Sequence, residues 1–285
     1  MIREVRQGKT AEAFRVTFRY EMAGEAGVRT HLLGGAASEV FLGKSPRVRQ
    51  AEGDDCKVYD YWMPQLVVRR QGTVPLTSTF VAVHEPFNRQ PFLHDVRRLP
   101  LEPADGGVDL EVRHGEYTDT IVNKGDEPPW TERRLPGGLT VAGRLAVVHE
   151  KAGRVVAAWL IDGARVAKDD FTLTLEKPRY EGMIEAALRK ADGATADSFT
   201  TAVALPAGDK LVGQWLIVTH GNGYTHGYEI SSVEQRDGQS VALLREDHGL
   251  RLTRGQTEAV YFPRRKITGL NRFVIVGRTA ASRVE

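Results

Sequence analysis

Phe14-Arg-Val-Thr-Phe-Arg-Tyr20 alternates apolar and polar side chains, so that Phe14, Val16, Phe18 and Tyr20 share one face and Arg15, Thr17 and Arg19 the other. Period two is the geometry of a pleated strand, in which successive side chains point to opposite faces, and no helix keeps such a set together. The same reading extends to Leu66–Arg69, Thr79–Val83, Val108–Val112, Leu145–His149, Val155–Leu160, Phe171–Leu175, Trp215–Thr219, Val241–Arg245 and Phe273–Val276. Clusters of Gly, Pro, Asn and Asp separate these runs, as turns require. Leu145–His149 and Val155–Leu160, joined by Glu150-Lys-Ala-Gly-Arg154, predict a hairpin, and Asp162-Gly163 and Asp237-Gly238 supply positions suited to positive φ. The expected fold class is therefore all-β, built from antiparallel sheets.

One stretch departs from this period. In Glu181-Gly-Met-Ile-Glu-Ala-Ala-Leu-Arg-Lys-Ala-Asp-Gly193, the apolar residues Met183, Ile184, Ala187 and Leu188 recur at helical spacing, and Gly193 offers a stop. The spacing predicts one short helix near 181–192. Because this segment follows a turn containing Pro178 and precedes a fresh set of strands, it divides the chain into a main β-sandwich, 1–180, and a smaller C-terminal β-sandwich, 181–285.

Composition narrows the class of partner. The chain has 285 residues with 39 Lys+Arg against 37 Asp+Glu, a formal net charge of +2, which is not the excess of basic charge that a nucleic-acid partner calls for. Hydrophobic residues at 41% and charged residues at 27% match an ordinary folded domain rather than a disordered or membrane chain. The single cysteine, Cys56, cannot close an internal disulfide. The amino end, Met1–Thr10, is polar and charged where an export signal needs an apolar run, so no signal peptide is expected in this chain. The longest apolar runs, such as Arg154–Ile161, are strand-length and fall short of the roughly 18–20 residues that cross a bilayer, so no membrane partner is expected.

Eight histidines, His31, His84, His94, His114, His149, His220, His226 and His248, are the natural bases and metal ligands. None lies in a zinc spacing such as His-Glu-x-x-His, so local motifs predict no metal and no cofactor. A His/Asp site assembled by the fold is beyond what linear spacing can read. The densest chemistry lies in His220-Gly-Asn-Gly-Tyr-Thr-His-Gly-Tyr228, directly after the apolar strand Trp215–Thr219. Tyrosine rings offer flat apolar faces to the C–H faces of sugars, and Asn and His give directional hydrogen bonds to hydroxyls. The carbohydrate-contact candidates are therefore His220, Asn222, Tyr224, His226 and Tyr228, with Trp130 and Trp215 as further aromatic candidates. The competing reading is a tight turn permitted by Gly221, Gly223 and Gly227, with the tyrosines packed on a core.

Other constellations read as structural. His84-Glu85-Pro86 could be an acid/base pair at a strand end, but it stands alone and Pro86 suits the end of a strand. His114 and Tyr117 are residue types that abstract protons from carbon acids, without a second half nearby. Ser38, Ser45 and Ser78 lie outside any Gly-x-Ser-x-Gly elbow, and the glycine doublets lack the residues of a phosphate-binding loop. Arg97-Arg98 and Arg264-Arg265-Lys266 could meet an acidic polysaccharide, although charged residues on exposed strands commonly guard against edge-to-edge pairing.

Several phrases, in this order, resemble the β-rich carboxyl-terminal half of heparinase II/III-like polysaccharide lyases. They are Val28-Arg-Thr-His-Leu-Leu-Gly34, Glu39-Val-Phe-Leu-Gly-Lys-Ser-Pro46, Met63-Pro-Gln-Leu-Val-Val-Arg-Arg70, Ser78-Thr-Phe-Val-Ala-Val-His-Glu-Pro86 with Pro91-Phe92, Tyr117-Thr-Asp-Thr-Ile121, and Gly213–Tyr228. The resemblance implies a β-supersandwich followed by a smaller β-sandwich, the partner of an amino-terminal helical toroid that these residues do not contain. It also implies an acidic polysaccharide as the bound polymer and a periplasmic or secreted location. Such lyases cleave by β-elimination, in which the uronate carboxylate is neutralised, a base removes the C5 proton and an acid assists the leaving oxygen. No segment here matches the family's catalytic motif, so no catalytic residue is carried over, including His31, His84 and Tyr117. The expected role is that of scaffold and wall of a polysaccharide cleft, not catalytic alone. The alternative is a free-standing carbohydrate-binding β-sandwich, and a complete enzyme built from dispersed His and Tyr residues ranks third.

Overall fold

The period-two stretch at the amino end forms a strand, Phe14–Arg19, whose side chains alternate between half-buried and exposed along its whole length. A computed structural model describes residues 2–20, 25–46, 55–100, 107–125, 130–253, 255–261 and 264–283. The chain is all-β, made of several antiparallel sheets of the β-sandwich class. Among the described residues, no helix is long and apolar enough to cross a membrane.

The chain divides into two compact units, the first comprising Met1–Leu101, Val108–Ile121 and His149–Arg154, and the second the remainder. In the first, Ser38–Pro46 pairs with Arg3–Thr10 on one side and Trp62–Arg69 on the other. Gly27–Leu33 likewise lies between Phe14–Arg19 and Val81–Phe87. Leu93–Arg98 pairs with Val108–His114, whose next neighbour is Tyr117–Asn123. His31 and Glu85, on paired strands, are both buried and meet through Nε2 and Oε2 at 2.7 Å. The other Glu85 oxygen accepts the backbone N–H of Leu93 at 2.6 Å and that of Phe92. Burial opposes the charge of Glu85, but the Leu93 N–H, the His31 ring and the Phe92 N–H together hold its carboxyl below the usual range. His84-Glu85-Pro86 is thus a structural anchor that ties Leu93–Arg98 to the Gly27–Leu33 sheet.

The second unit contains a seven-stranded sheet in the order Arg179–Met183, Arg272–Val276, Trp215–Thr219, Thr225–Arg236, Gln239–Leu244, Ser198–Thr201, Ala186–Leu188. Its core gathers Phe199, Leu216, Val218, Tyr228, Ile230, Val233, Ala242, Phe273 and Ile275, and along Trp215–Thr219 and Arg272–Val276 the buried residues alternate with half-buried or exposed ones. Thr225–Arg236 is long enough to pair with Trp215–Thr219 at one end and Gln239–Leu244 at the other, with the register shifting between Ile230 and Ser232. The expected hairpin also forms within the strands Thr140–Lys151 and Arg154–Lys168, which the turn residues Ala152 and Gly153 join.

The helix expected near 181–192 is absent. Arg179–Met183 and Ala186–Leu188 are strands, followed by one 3-10 turn, Lys190–Asp192. Cross-strand partners override the helical spacing. Glu181 pairs with Val274 and Ala187 with Phe199, while Ile184 donates its N–H to the Asn271 carbonyl and buries its side chain in the core. The four apolar residues Met183, Ile184, Ala187 and Leu188 cannot outweigh a ladder of backbone bonds that a short helix could not replace. Gly193 does act as a stop, adopting the left-handed conformation at φ 95° that closes the 3-10 turn.

Replacing Glu85 by alanine leaves buried His31 and two half-buried backbone N–H hydrogen bonds without their partner, and is expected to cost about 3–5 kcal/mol by chemical denaturation. Phe199→Ala opens a cavity in the second core and is expected to cost a similar ~3–5 kcal/mol. A loss below about 1 kcal/mol, the level of a surface change, would contradict either assignment.

Candidate functional site

The strand Trp215–Thr219 sets the site because its register dictates what stands beside His220. Val218 pairs with His226 and Leu216 with Tyr228 across one ladder, and Thr219 pairs with Arg272 across the other. Alternation therefore puts His220, His226 and Tyr228 on the face that carries the core residues Leu216 and Val218. Between the strands the chain turns back at once. The His220 carbonyl accepts the N–H of Gly223 at 2.8 Å, and the His220 N–H is donated to the Tyr224 carbonyl at 2.8 Å. Asn222 completes this turn by accepting the Tyr224 N–H on its Oδ1 at 3.1 Å.

His220 is buried and is held on both ring nitrogens. Asn271 donates its Nδ2–H to Thr257 Oγ1 at 2.7 Å, which leaves its Oδ1 as acceptor for His220 Nδ1–H at 2.6 Å. His220 Nε2 then carries the lone pair and accepts His226 Nδ1–H at 2.9 Å. The chain of donors ends at His226 Nε2, which presents a lone pair from an exposed ring. Partial burial, together with the neighbouring His220, lowers the pKa of His226 below the ordinary histidine value. His226 is accordingly neutral near pH 7 and competent to accept a proton or a hydroxyl hydrogen bond.

A cleft of about 460 Å3 opens beside His226. Its floor is Tyr228, His248, Leu250 and Ile267, all buried, and its rim includes Tyr224, Tyr261 and Arg265, all exposed. Tyr228 donates its hydroxyl to the His248 carbonyl at 3.1 Å, and burial pushes its pKa up to about 12. His248 accepts the Leu250 N–H on Nδ1 at 3.1 Å and meets the Leu188 carbonyl through Nε2 at 2.9 Å, so it is a neutral structural ring whose pKa burial lowers. Phe199 supports this floor from within the core, its ring 5.3 Å from that of Tyr228 and 4.6 Å from that of His248.

The rim is fixed by charge as well as packing. Tyr261 donates its hydroxyl to Asp247 Oδ2 at 2.6 Å, and Arg189 grips the same carboxylate through Nε and Nη2 at 2.8 and 2.6 Å. The hydrogen bonds from Arg189 hold the Asp247 carboxyl far below its usual range, so this negative charge is neutralised locally. The ring of Tyr261 lies on Gly249, where a Cβ would stand 2.6 Å from the ring and where φ is 65°; only glycine suits both conditions. On the other side, the Arg265 guanidinium sits 5.3 Å from the centre of the Tyr224 ring.

Of the sequence candidates, Tyr224, His226 and Tyr228 line the cleft, and His220 stands behind it as the group that orients His226. Tyr228 contributes a buried floor rather than a free ring. Asn222 is spent on the turn. Trp130 is half-buried under the Arg179 guanidinium at 5.4 Å and is not part of this lining. Trp215 is 51% exposed but lies on the opposite face of its strand, against Gly227. The residues that the linear motif missed are Tyr261, Asn271 and, within the basic run at 264–266, the specific arginine that meets Tyr224. Strand pairing brings them together from 33 or more positions away, which no local spacing signals. No family model matches the chain, and no curated protein or solved structure matches it either.

Both His226 and His248 titrate below 6.5 when folded and at about that value when unfolded. Just below pH 6.5 the unfolded chain therefore binds more protons, and stability falls as the pH drops through that window. The depressed carboxylates, including Asp192 at about 2, start to lose their contribution only near the unfolded values of 3.8 for aspartate and 4.5 for glutamate. The thermal midpoint is expected to fall between about pH 7 and about pH 5, and His226→Gln to flatten that fall. An unchanged slope in the variant would show that His226 is not held neutral.

Proposed function

We propose that this chain is the β-sandwich portion of a heparinase II/III-like polysaccharide lyase, and that the Tyr224–Tyr261–Arg265 cleft is a wall that contacts an acidic polysaccharide. The observation that carries the reading is the rim: two exposed tyrosines and one guanidinium around a concave surface of about 460 Å3. That size lies within the range of small-molecule sites, about 300–1,000 Å3. A sugar ring stacks its C–H face on a tyrosine, and a uronate carboxylate matches the planar fork of Arg265. His226 Nε2 accepts a sugar hydroxyl. The charge of Asp247 does not repel the uronate, because Arg189 already neutralises it.

Contact rather than catalysis is favoured by the state of two of the three phenols that line the cleft. Tyr228 and Tyr261 donate hydroxyl hydrogen bonds to the His248 carbonyl and to Asp247. Burial raises the first pKa and the Asp247 hydrogen bond raises the second. Arg265 and His226 supply a cation and a base, but neither of these two phenols is free to protonate a leaving oxygen, and the ring of the third, Tyr224, is engaged by the Arg265 guanidinium. Work on such a polymer belongs outside the cytoplasm, in the periplasm or the medium.

Calorimetric titration with alginate, polygalacturonate and glucuronan oligosaccharides tests the reading. At least one is expected to bind without new absorbance from an eliminated C=C bond, and Arg265→Ala to weaken it by about tenfold or more. Binding that Arg265→Ala and Tyr224→Ala leave intact, or no binding across the panel, would remove the cleft from the account, and eliminative cleavage by this chain alone would overturn the scaffold assignment.

A further inference from the structure

We propose that Arg70 and Arg98, in the first unit and independent of the saccharide cleft, form a binding site for a tetrahedral oxyanion of the phosphate or sulfate class. Each is the second member of an arginine doublet whose first member stands in a strand opposite a glutamate. Arg69 faces Glu39 across the ladder and bonds it through Nε and Nη2 at 2.8 and 2.6 Å. Arg97 faces Glu111 in the same way and bonds it through Nε at 2.9 Å. Arg70 and Arg98 turn away from these acids, and among the described residues no carboxylate pairs with either.

Both guanidiniums reach the same turn, Gly34–Ser38. Arg70 donates Nε–H to Ser38 Oγ at 3.0 Å, and that hydroxyl donates in turn to the Ala36 carbonyl at 3.0 Å. Arg98 Nη1 stands 3.4 Å from where a Cβ of Gly35 would lie. The turn itself is pinned, because Gly35, at φ 131°, donates its N–H to the Ala11 carbonyl at 3.0 Å. Two strands far apart in sequence thus deliver one guanidinium each to a single backbone feature, and the sheet register that pairs Arg69 and Arg97 with acids leaves these two without one.

Arg70 is held in place before any ion arrives. Its Nη1 donates to the Thr79 carbonyl at 2.9 Å, and its guanidinium lies 4.4 Å from the centre of the Phe80 ring. The Nη2 donors of Arg70 remain unused, and Arg98 is exposed and makes no hydrogen bond among the described residues, so its fork is open. Partial burial, and then the nearby charge of Arg70, lower the pKa of Arg98, the direction expected of a cation without a counter-ion. Glu12 lines the same crevice as Arg70 and Ser38 but pairs with neither arginine. A single carboxylate satisfies one guanidinium fork, whereas the oxygens and the double charge of phosphate or sulfate match two.

Calorimetric titration with inorganic phosphate, and separately with sulfate, at an ionic strength held constant with chloride tests the site. The expected result is one equivalent bound saturably, with a raised thermal midpoint that chloride alone does not give. A hexose phosphate and a hexose sulfate locate the source of the anion: tighter binding of the ester than of its free ion assigns an ester-bearing sugar, and equal or weaker binding assigns the ion itself. Arg98→Gln, which removes a side chain that ties nothing in the fold, is expected to weaken binding by about tenfold or more and to leave the midpoint in chloride no lower. Arg97→Gln, which removes the guanidinium already paired with Glu111, is expected to leave the affinity unchanged. Absence of saturable binding by the wild-type chain, or binding that Arg98→Gln retains in full, would overturn the proposal.

Discussion

The hydrogen bond from His220 Nδ1 to Asn271 Oδ1, 2.6 Å long and buried, is the contact on which the second unit's chemistry depends. It joins the end of one central strand to the start of its neighbour, and it decides which nitrogen of His220 keeps its proton. From that single assignment follow the direction of the His226 hydrogen bond, the lone pair that His226 presents outward and the neutral state of the ring. A buried imidazole without such a partner would cost the full desolvation of a polar group. With it, the turn between Thr219 and Thr225 carries its side chains in one orientation.

The same device recurs at three further carboxylates that are wholly or partly withdrawn from water. Glu85 is buried with three donors, Asp162 takes both arms of Arg179 at 2.6 Å, and Asp247 takes both arms of Arg189. Each joins segments that strand pairing alone would leave free to slide, and each removes a charge that would otherwise be exposed to the core. The cleft benefits directly. Because Arg189 is paired with Asp247, the rim presents the Arg265 guanidinium beside two tyrosine faces, a combination suited to an acidic sugar.

Much of the fold was legible in the sequence, because period-two alternation is a local property and Phe14–Arg19 or Trp215–Thr219 carry it plainly. The segment at 181–192 was misread since its apolar spacing is ambiguous at that length, and only its partners, Val274 and Phe199, reveal that it is extended. The site divides the same way. His220, Tyr224, His226 and Tyr228 fall within nine residues and were visible as a cluster, whereas Tyr261 and Asn271 reach them through sheet register. Asn222 and Tyr228 have the right chemistry but spend it on a turn and on the core.

A crystal structure of the chain with a uronate oligosaccharide tests the saccharide cleft most directly. The account predicts the uronate carboxylate within hydrogen-bond distance of the Arg265 guanidinium, with a sugar ring against Tyr224 or Tyr261 and a hydroxyl on His226 Nε2. A saccharide bound on another surface, with Arg265 and both tyrosines facing solvent, would contradict it.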